Sequence, residues 1–451
     1  MEPITSSIRV TVDRSAPGYR VKFAIAYLAL FVLMGGDAVR YAIGWLGWGL
    51  TLGVLLIGTL VGLVRSEWRA TLKRVPWPLA GLLALMMVGS LWSNYVLVSF
   101  GAAWVQLATS IFAIYLAAAF SWREILRLFG NTLRVILFGS VIFELFAAVV
   151  VRGPIEPLFP NYDGDHPPAV AFYWTQGNLF TDERIQGIVG NSNMLAYMSM
   201  IGLVVFAIER AANTTGRMVT VTSLLSAVSM LLLARSASIG FAIVAICAAA
   251  IVSIAAEGKS REVRHNYYRI AWGVFGVGAL FLLTYRAQIF SLVGKSPDMT
   301  GRTKIWKIVL HLIDQRPLQG WGWTSYWVPW VEPYNGLVVI NHVPYFQAHN
   351  AFLDVWLQLG ILGLGLFILL VGMTFVRLWR LAVHHTNPLY LWPILVFAGL
   401  VTQNLTESRF LVEIGWVILV LFSVKVNEPK ETLEPLGSTV KRSRLRRVGG
   451  R

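Results

Sequence analysis

The chain has 451 residues, 56% of them hydrophobic and 14% charged, with 38 Lys and Arg against 23 Asp and Glu. Soluble domains carry roughly 25% charged residues, so this composition excludes a cytosolic enzyme, a disordered scaffold and a fibrous repeat. The formal net charge of +15 does not call for nucleic acid, because the cytoplasmic loops of membrane proteins collect Lys and Arg.

Apolar runs fall near residues 21–34, 41–64, 77–91, 96–120, 133–151, 193–208, 217–234, 236–256, 270–284, 349–371, 389–403 and 411–424. A spanning helix takes about 20 mostly apolar residues, so the pattern predicts an all-α polytopic membrane protein with about 12 transmembrane helices. Residues 1–22 are polar and basic, and no small-residue cleavage site follows the first run, which therefore reads as a retained span. The one cysteine, Cys247, lies inside an apolar run, which excludes disulfides within the chain and CxxC sites. An even number of spans puts both ends on one side. Placing that side in the cytoplasm gives it 27 of the 38 Lys and Arg, and still 19 against 11 without the C-terminal tail. This predicts a multi-pass protein of the cytoplasmic membrane with both termini inside. Residues 1–425 form the membrane domain. Residues 426–451 read as a disordered basic tail drawn to anionic lipid headgroups.

Two outer segments are long, 152–192 and 285–348, and the second lies between spans nine and ten. Loops of that length carry functional or local structural content. In the second, residues 302–314 predict an amphipathic helix with Ile305, Trp306, Val309, Leu312 and Ile313 on one face. Lys304, Lys307, His311 and Asp314 take the other, and Asp298 or Thr300 is the expected cap. Trp321, Trp323, Tyr326, Trp327, Trp330 and Tyr334 follow, as an interfacial aromatic belt or, alternatively, a platform for sugar rings.

Polar groups placed where they are costly or disfavoured mark candidate chemistry. Arg235 interrupts two apolar runs, either as a snorkelling turn residue or as part of an anion site. Arg302 falls on the apolar arc of its helix, where a guanidinium wants a carboxylate or a phosphate. Arg184 has acidic neighbours in Asp182 and Glu183, and Asn191-Ser192-Asn193 supplies a cap for the next span. His349 opens a span at its outer edge, where the helix dipole favours a neutral imidazole able to take a proton; the competing reading is a structural, hydrogen-bonded histidine. Asp163-Gly164-Asp165-His166 looks like a metal-binding pair, but such short matches are common and outward chemistry has no nucleotide-sugar to bind. His384 and His385 read as solvated. Glu144 and Asp354 lie within spans and are expected to face the bundle interior. P-loop, GxSxG and HExxH patterns are absent.

His349-Asn350, nine further residues and Gly360-Ile361-Leu362-Gly363 resemble the end of the large outer loop in the O-antigen ligase and polymerase family. Gly301-Arg302-Thr303-Lys304-Ile305-Trp306 and the P-L-Q-G-W-G-W stretch at 317–323 also look like that family, as does Arg235 in its short outer turn. The resemblance covers roughly residues 180–410. It implies a GT-C-like fold and a metal-independent, inverting glycosyltransferase without a cofactor, working on a polyprenyl-diphosphate-linked glycan and a glycan, lipid or protein acceptor at the outer membrane face. It makes His349 the base, Arg235, Arg302 and Arg184 the diphosphate binders, and Asn350, Gly301 and Trp306 supporting residues. Membrane lipids are the other expected partners. Polymerase or general ligase-like activity is expected ahead of lipopolysaccharide ligation. The rival class is a transporter, either a lipid-linked oligosaccharide flippase or an anion or bicarbonate carrier; a carrier keeps its polar groups near the midplane, whereas these arginines and His349 gather at the outer edge.

Overall fold

The structure is a computed structural model that describes residues 16–159, 172–257, 259–260, 262–267, 269–270, 273, 301–340, 343–385 and 387–429. Its helices are α1 (Pro17–Met34), α2 (Gly36–Val64), the short α3 (Trp68–Leu72), α4 (Trp77–Gly89), α5 (Val96–Ala119), α6 (Trp122–Leu145), α7 (Ser192–Ala211), α8 (Arg217–Ala234) and α9 (Ala237–Ala256). Then come α10 (Arg302–Gln315) in the long loop, α11 (Ala351–His384), α12 (Trp392–Gln403) and α13 (Glu413–Lys425). A helix stands at eleven of the twelve apolar runs. The run at 270–284 lies almost wholly outside the described residues, as do Asp163, Asp165, His166, Asp298, Thr300 and nearly all of the basic tail. Among the described residues, seven helices are long and apolar enough to cross a membrane: α1, α2, α5, α6 with its π-helical end, α7, α8 and α11.

A helix that is apolar all round must be covered by protein or by lipid, and both solutions occur here. α13 is buried from Ile414 to Lys425, and most of α7 and α12 is buried with it. Around this centre, α2 turns Leu46, Leu50, Val54, Ile57, Val61 and Val64 outward, as a hydrocarbon-facing helix does.

Two boundaries differ from the sequence reading. Residues 123–132 are not a loop, because α6 begins at Trp122 with a capping box between Ser121 and Glu124. The apolar signal starts later only because this first part is amphipathic. α11 likewise runs on to His384, past the last strongly apolar residues, carrying Arg377 and Arg380 in its final turns. His384 is exposed, whereas His385 is half-buried edge-on to Tyr390.

The long loop has its own core. Ile305, Val309, Leu312 and Ile313 of α10 are buried against Tyr95, Trp321, Trp327, Tyr334 and Val338. Lys304, Lys307, His311 and Asp314 are exposed, as the periodicity predicts. The aromatic series is therefore neither a belt nor a platform. Trp321, Trp323, Trp327 and Tyr334 are buried, and Trp330 is the one that stands well out, at 75% exposure. Ring area is worth more inside a loop core than at its surface, and the indole N–H groups of Trp321 and Trp327 find acceptors in Leu312 O and Asp354.

This loop is anchored to a break in α11. Gly360 adopts φ 66°, ψ −171° and interrupts the helix. Residues 317–323 dock there: Ile361 N–H donates to Pro317 O at 2.9 Å, Trp321 N–H to Leu357 O at 3.0 Å and Gly322 N–H to Gln358 O at 2.9 Å. The Gln358 side chain accepts from the backbone N–H of Thr324 and Ser325. A Cβ on Gly360 would lie 1.9 Å from Leu318 O, and one on Gly320 2.5 Å from the Gln358 backbone. The two glycine-bearing motifs thus meet backbone to backbone. Gly360→Ala is expected to cost about 3 kcal/mol or more through strain and overlap, seen as a clear drop in the thermal midpoint of detergent-solubilised protein. Gly365→Ala, whose Cβ meets nothing within 4 Å, leaves that midpoint close to wild type. Equal midpoints for the two variants would contradict the docking.

Candidate active site

His349 is held from both sides in sequence. Asn350 caps α11, its Oδ1 accepting from Phe352 and Leu353 N–H at 3.0 and 3.2 Å. The Trp306 indole donates to Ala348 O at 2.9 Å. Between these fixed points His349 takes φ 50°, a left-handed conformation that costs a non-glycine residue energy and persists where its surroundings enforce it. Asp354, one turn into α11 and buried, accepts from Ala348 N–H and Trp327 Nε1 at 2.9 Å each, and from the Ser408 hydroxyl. One carboxylate therefore fixes the residue before His349 and the residue after Glu407.

Glu407 is the centre of the arrangement, with its side chain 1% exposed. Its Oε1 accepts from Arg302 Nη2 at 2.8 Å and Asn193 Nδ2 at 3.4 Å. Its Oε2 lies 2.9 Å from His349 Nδ1 and accepts from Gln347 Nε2 at 3.4 Å. Burial alone raises a carboxyl pKa, but His349, Arg409 and Arg302 overcome it and hold Glu407 down at about 2. Being ionised, Glu407 accepts a hydrogen bond from His349 Nδ1–H. This leaves Nε2 as the basic atom, and it has no hydrogen-bond partner among the described residues. The rest of the Arg302 guanidinium is also without a partner among them. Arg302 is the first residue of α10, which starts at Gly301 (φ 86°) with no side-chain cap, and helix N-termini favour anions.

The site residues expected from sequence are thus partly gathered. Arg302 and His349 share Glu407, with Gly301, Trp306 and Asn350 positioning them. Arg235 ends α8 in a left-handed conformation. Its neighbour Ser236 donates to Asn193 Oδ1 at 2.9 Å, which links that turn to Glu407, but its own guanidinium turns to Asp182, is 44% exposed and lies 3.5 Å from the carboxylate. Arg184 is exposed, and no ion pair holds it among the described residues. Glu144 serves the fold, binding the Thr175 hydroxyl and the N–H groups of Gln186 and Gly187. Asn191 caps α7. Among the described residues no group of three His, Cys, Asp or Glu side chains converges to hold a metal.

Sequence reasoning missed Glu407 and two arginines of the same end of the bundle. Arg409 lies two residues beyond Glu407, with its Nε buried and without a hydrogen-bond partner among the described residues. Arg40 pairs with Asp37 and Glu413, each at 2.6 Å, and fastens α2 to α13. The signal was available: both are arginines at the edges of apolar runs, 41–64 and 411–424, the same anomaly that drew attention to Arg235.

The Glu407 ion pairs make stability depend on acid. A carboxyl with an ordinary value of 4.5 and a folded value of about 2 contributes its full stabilisation above the unfolded value, and loses it as pH falls through the folded value. In detergent, the gap in thermal midpoint between wild type and Glu407→Gln should hold steady from pH 7 to about 5 and close as pH falls from 4.5 toward 2. A gap that stays the same from pH 7 to 3 would remove Glu407 as the charged centre.

Part of this arrangement lies in a segment similar to known proteins. Residues 188–368 match the family model described as O-antigen ligase, a span that contains Asn193, Arg235, Arg302, His349 and Gly360 but not Glu407. The chain is also 31% identical over 131 residues to the exopolysaccharide production protein ExoQ of Rhizobium meliloti (strain 1021), covering 26% of this chain and 29% of that protein. The match thus spans less than a third of that relative's length. Together with the apolar helices, these likenesses describe a multi-pass membrane protein whose residues 188–368 are similar to the O-antigen ligase family.

Proposed function

We propose that the protein is a membrane glycosyltransferase of polysaccharide biosynthesis, moving a glycan from a polyprenyl-diphosphate carrier to an acceptor at the outer face of the cytoplasmic membrane. The observation that carries this reading is the shared carboxylate, with Arg302 on one oxygen of Glu407 and His349 Nδ1 on the other. A histidine oriented through Nδ1 by a carboxylate is the arrangement of a general base. A guanidinium with open valences a few ångströms away suits a diphosphate, whose oxygens it can hold in pairs.

In the proposed step the acceptor hydroxyl oxygen attacks the anomeric carbon from the side opposite the carrier. The bond from that carbon to the diphosphate oxygen breaks, and its electron pair leaves with the diphosphate. The hydroxyl proton passes to His349 Nε2 while Glu407 stays ionised and steadies the imidazolium. Such a single displacement inverts the anomeric configuration. Arg302 offsets the charge that grows on the leaving group, a role for which a fixed guanidinium needs no metal; the sequence reading gives Arg235 and Arg184 the same role, and they would have to turn toward the site to take it. The relative's name as an exopolysaccharide production protein favours a growing surface polysaccharide as product, by polymerisation or ligase-like transfer. The orientation that supports this scheme is the twelve-span one, with both termini cytoplasmic and a GT-C-like arrangement of the spans.

Purified protein in liposomes, given a polyprenyl-diphosphate glycan and candidate acceptors, tests the proposal. Wild type should transfer glycan with or without a chelator. His349→Ala should lower kcat by about a hundredfold or more, and Arg302→Ala should lose most of the activity at normal abundance. Full transfer by His349→Ala removes the base. Labelled glycan that crosses the bilayer untransferred, equally well in both variants, gives the protein to the carrier class instead.

A further inference from the structure

A second polar constellation lies at the opposite end of the bundle, away from His349. α7 shows the separation: Asn193 touches Glu407 near its start, whereas Glu209 near its end binds Arg134 of α6. Those sixteen residues of helix span about 24 Å. There a cavity of about 630 Å³ opens between α1 and α6, lined among others by Arg20, Phe23, Ala24, Tyr27, Asn131 and Val135. On α1 the residues 20, 23, 24 and 27 share one face at helical spacing, and on α6 so do 131, 134 and 135.

The polar groups in this groove include donors that no described residue accepts from: Arg20 is exposed, and Tyr27 and Asn131 are partly buried. The Arg20 guanidinium, the Tyr27 hydroxyl and the Asn131 side-chain N–H₂ have no hydrogen-bond partner among the described residues, the Asn131 oxygen being used by Arg134. Arg134 is itself committed to Glu209, Ser223 and Asn131. Charge points the same way: both charged residues that line the groove, Arg20 and Arg134, are basic. The depth fits as well. With its π-helical end, α6 is a 30-residue helix, about 45 Å long against a hydrocarbon core of about 30 Å. If its amphipathic first ten residues take up the difference, Asn131 and Arg134 fall near the boundary between headgroups and acyl chains.

We propose that this groove is a binding site for an anionic phospholipid. The phosphate pairs with Arg20, the ester carbonyl oxygens accept from Asn131 and Tyr27, and an acyl chain lies along Phe23, Ala24 and Val135. A free phosphate would satisfy only the first of these groups and leave the apolar wall uncovered, so the occupant is a lipid. The site is independent of the glycan chemistry proposed for the other end.

The test uses full-length protein in neutral detergent, with lipid retention read by native mass spectrometry against phosphatidylglycerol, phosphatidylcholine and inorganic phosphate. Wild type should retain phosphatidylglycerol in preference to phosphatidylcholine, and inorganic phosphate should not displace it. Arg20→Gln should weaken retention about tenfold, the worth of one charge-assisted hydrogen bond. Ala24→Trp, which fills the groove from its exposed side, should abolish it. Both variants should melt like wild type when lipid-free, because neither position takes part in the ion pairs of α6 and α7. Equal retention of the two lipids, unchanged retention in both variants, or displacement by inorganic phosphate would each overturn the proposal.

Discussion

A carboxylate buried to 1% exposure is tolerated only when positive or donating groups surround it, and the end of the bundle around His349 is built on that constraint. Glu407 is ionised because Arg302, His349 and Arg409 are close, and those groups are ordered because Glu407 is there. Removing one member leaves the others as uncompensated buried charge. The loop helix α10, the start of α11 and the turn between α12 and α13 are thereby bound to one another. The same contact that secures three chain segments also fixes the imidazole tautomer, so stability and the proposed chemistry rest on one interaction.

Asp354 extends that logic by one layer. It forms no hydrogen bond with His349 or Glu407, yet it grips Ala348 and Ser408, the residues beside them. Its third donor, Trp327, belongs to the core of the long loop. The loop is anchored again at Gly360, where α11 opens to receive residues 317–323. Two anchors on one helix hold residues 301–340 of this long segment in place, and Arg302 reaches Glu407 from it.

The groove at the other end obeys a different economy. At His349 the charged groups satisfy one another inside the protein. Between α1 and α6, the donors of Arg20, Tyr27 and Asn131 line an open cavity beside Phe23, Ala24 and Val135.

Much of this was legible in the chain. The apolar runs determined the helices, because a bilayer demands about twenty apolar residues wherever a helix crosses it. The period of α10 determined which of its faces is buried, and the order of the motifs around Arg235, Arg302 and His349 pointed to the family. The start of α6 was hidden because a capping box and an amphipathic face carry no hydropathy signal. The aromatic series deceived because a loop core and a membrane belt draw on the same residues. Only the tertiary structure decided that Glu407, 58 residues from His349 and 105 from Arg302, is the group they share, and that Arg235 turns instead to Asp182. Hydropathy and periodicity are local properties and can be read along a chain. Which carboxylate neutralises which cation depends on how the helices pack, and no spacing in the sequence records that.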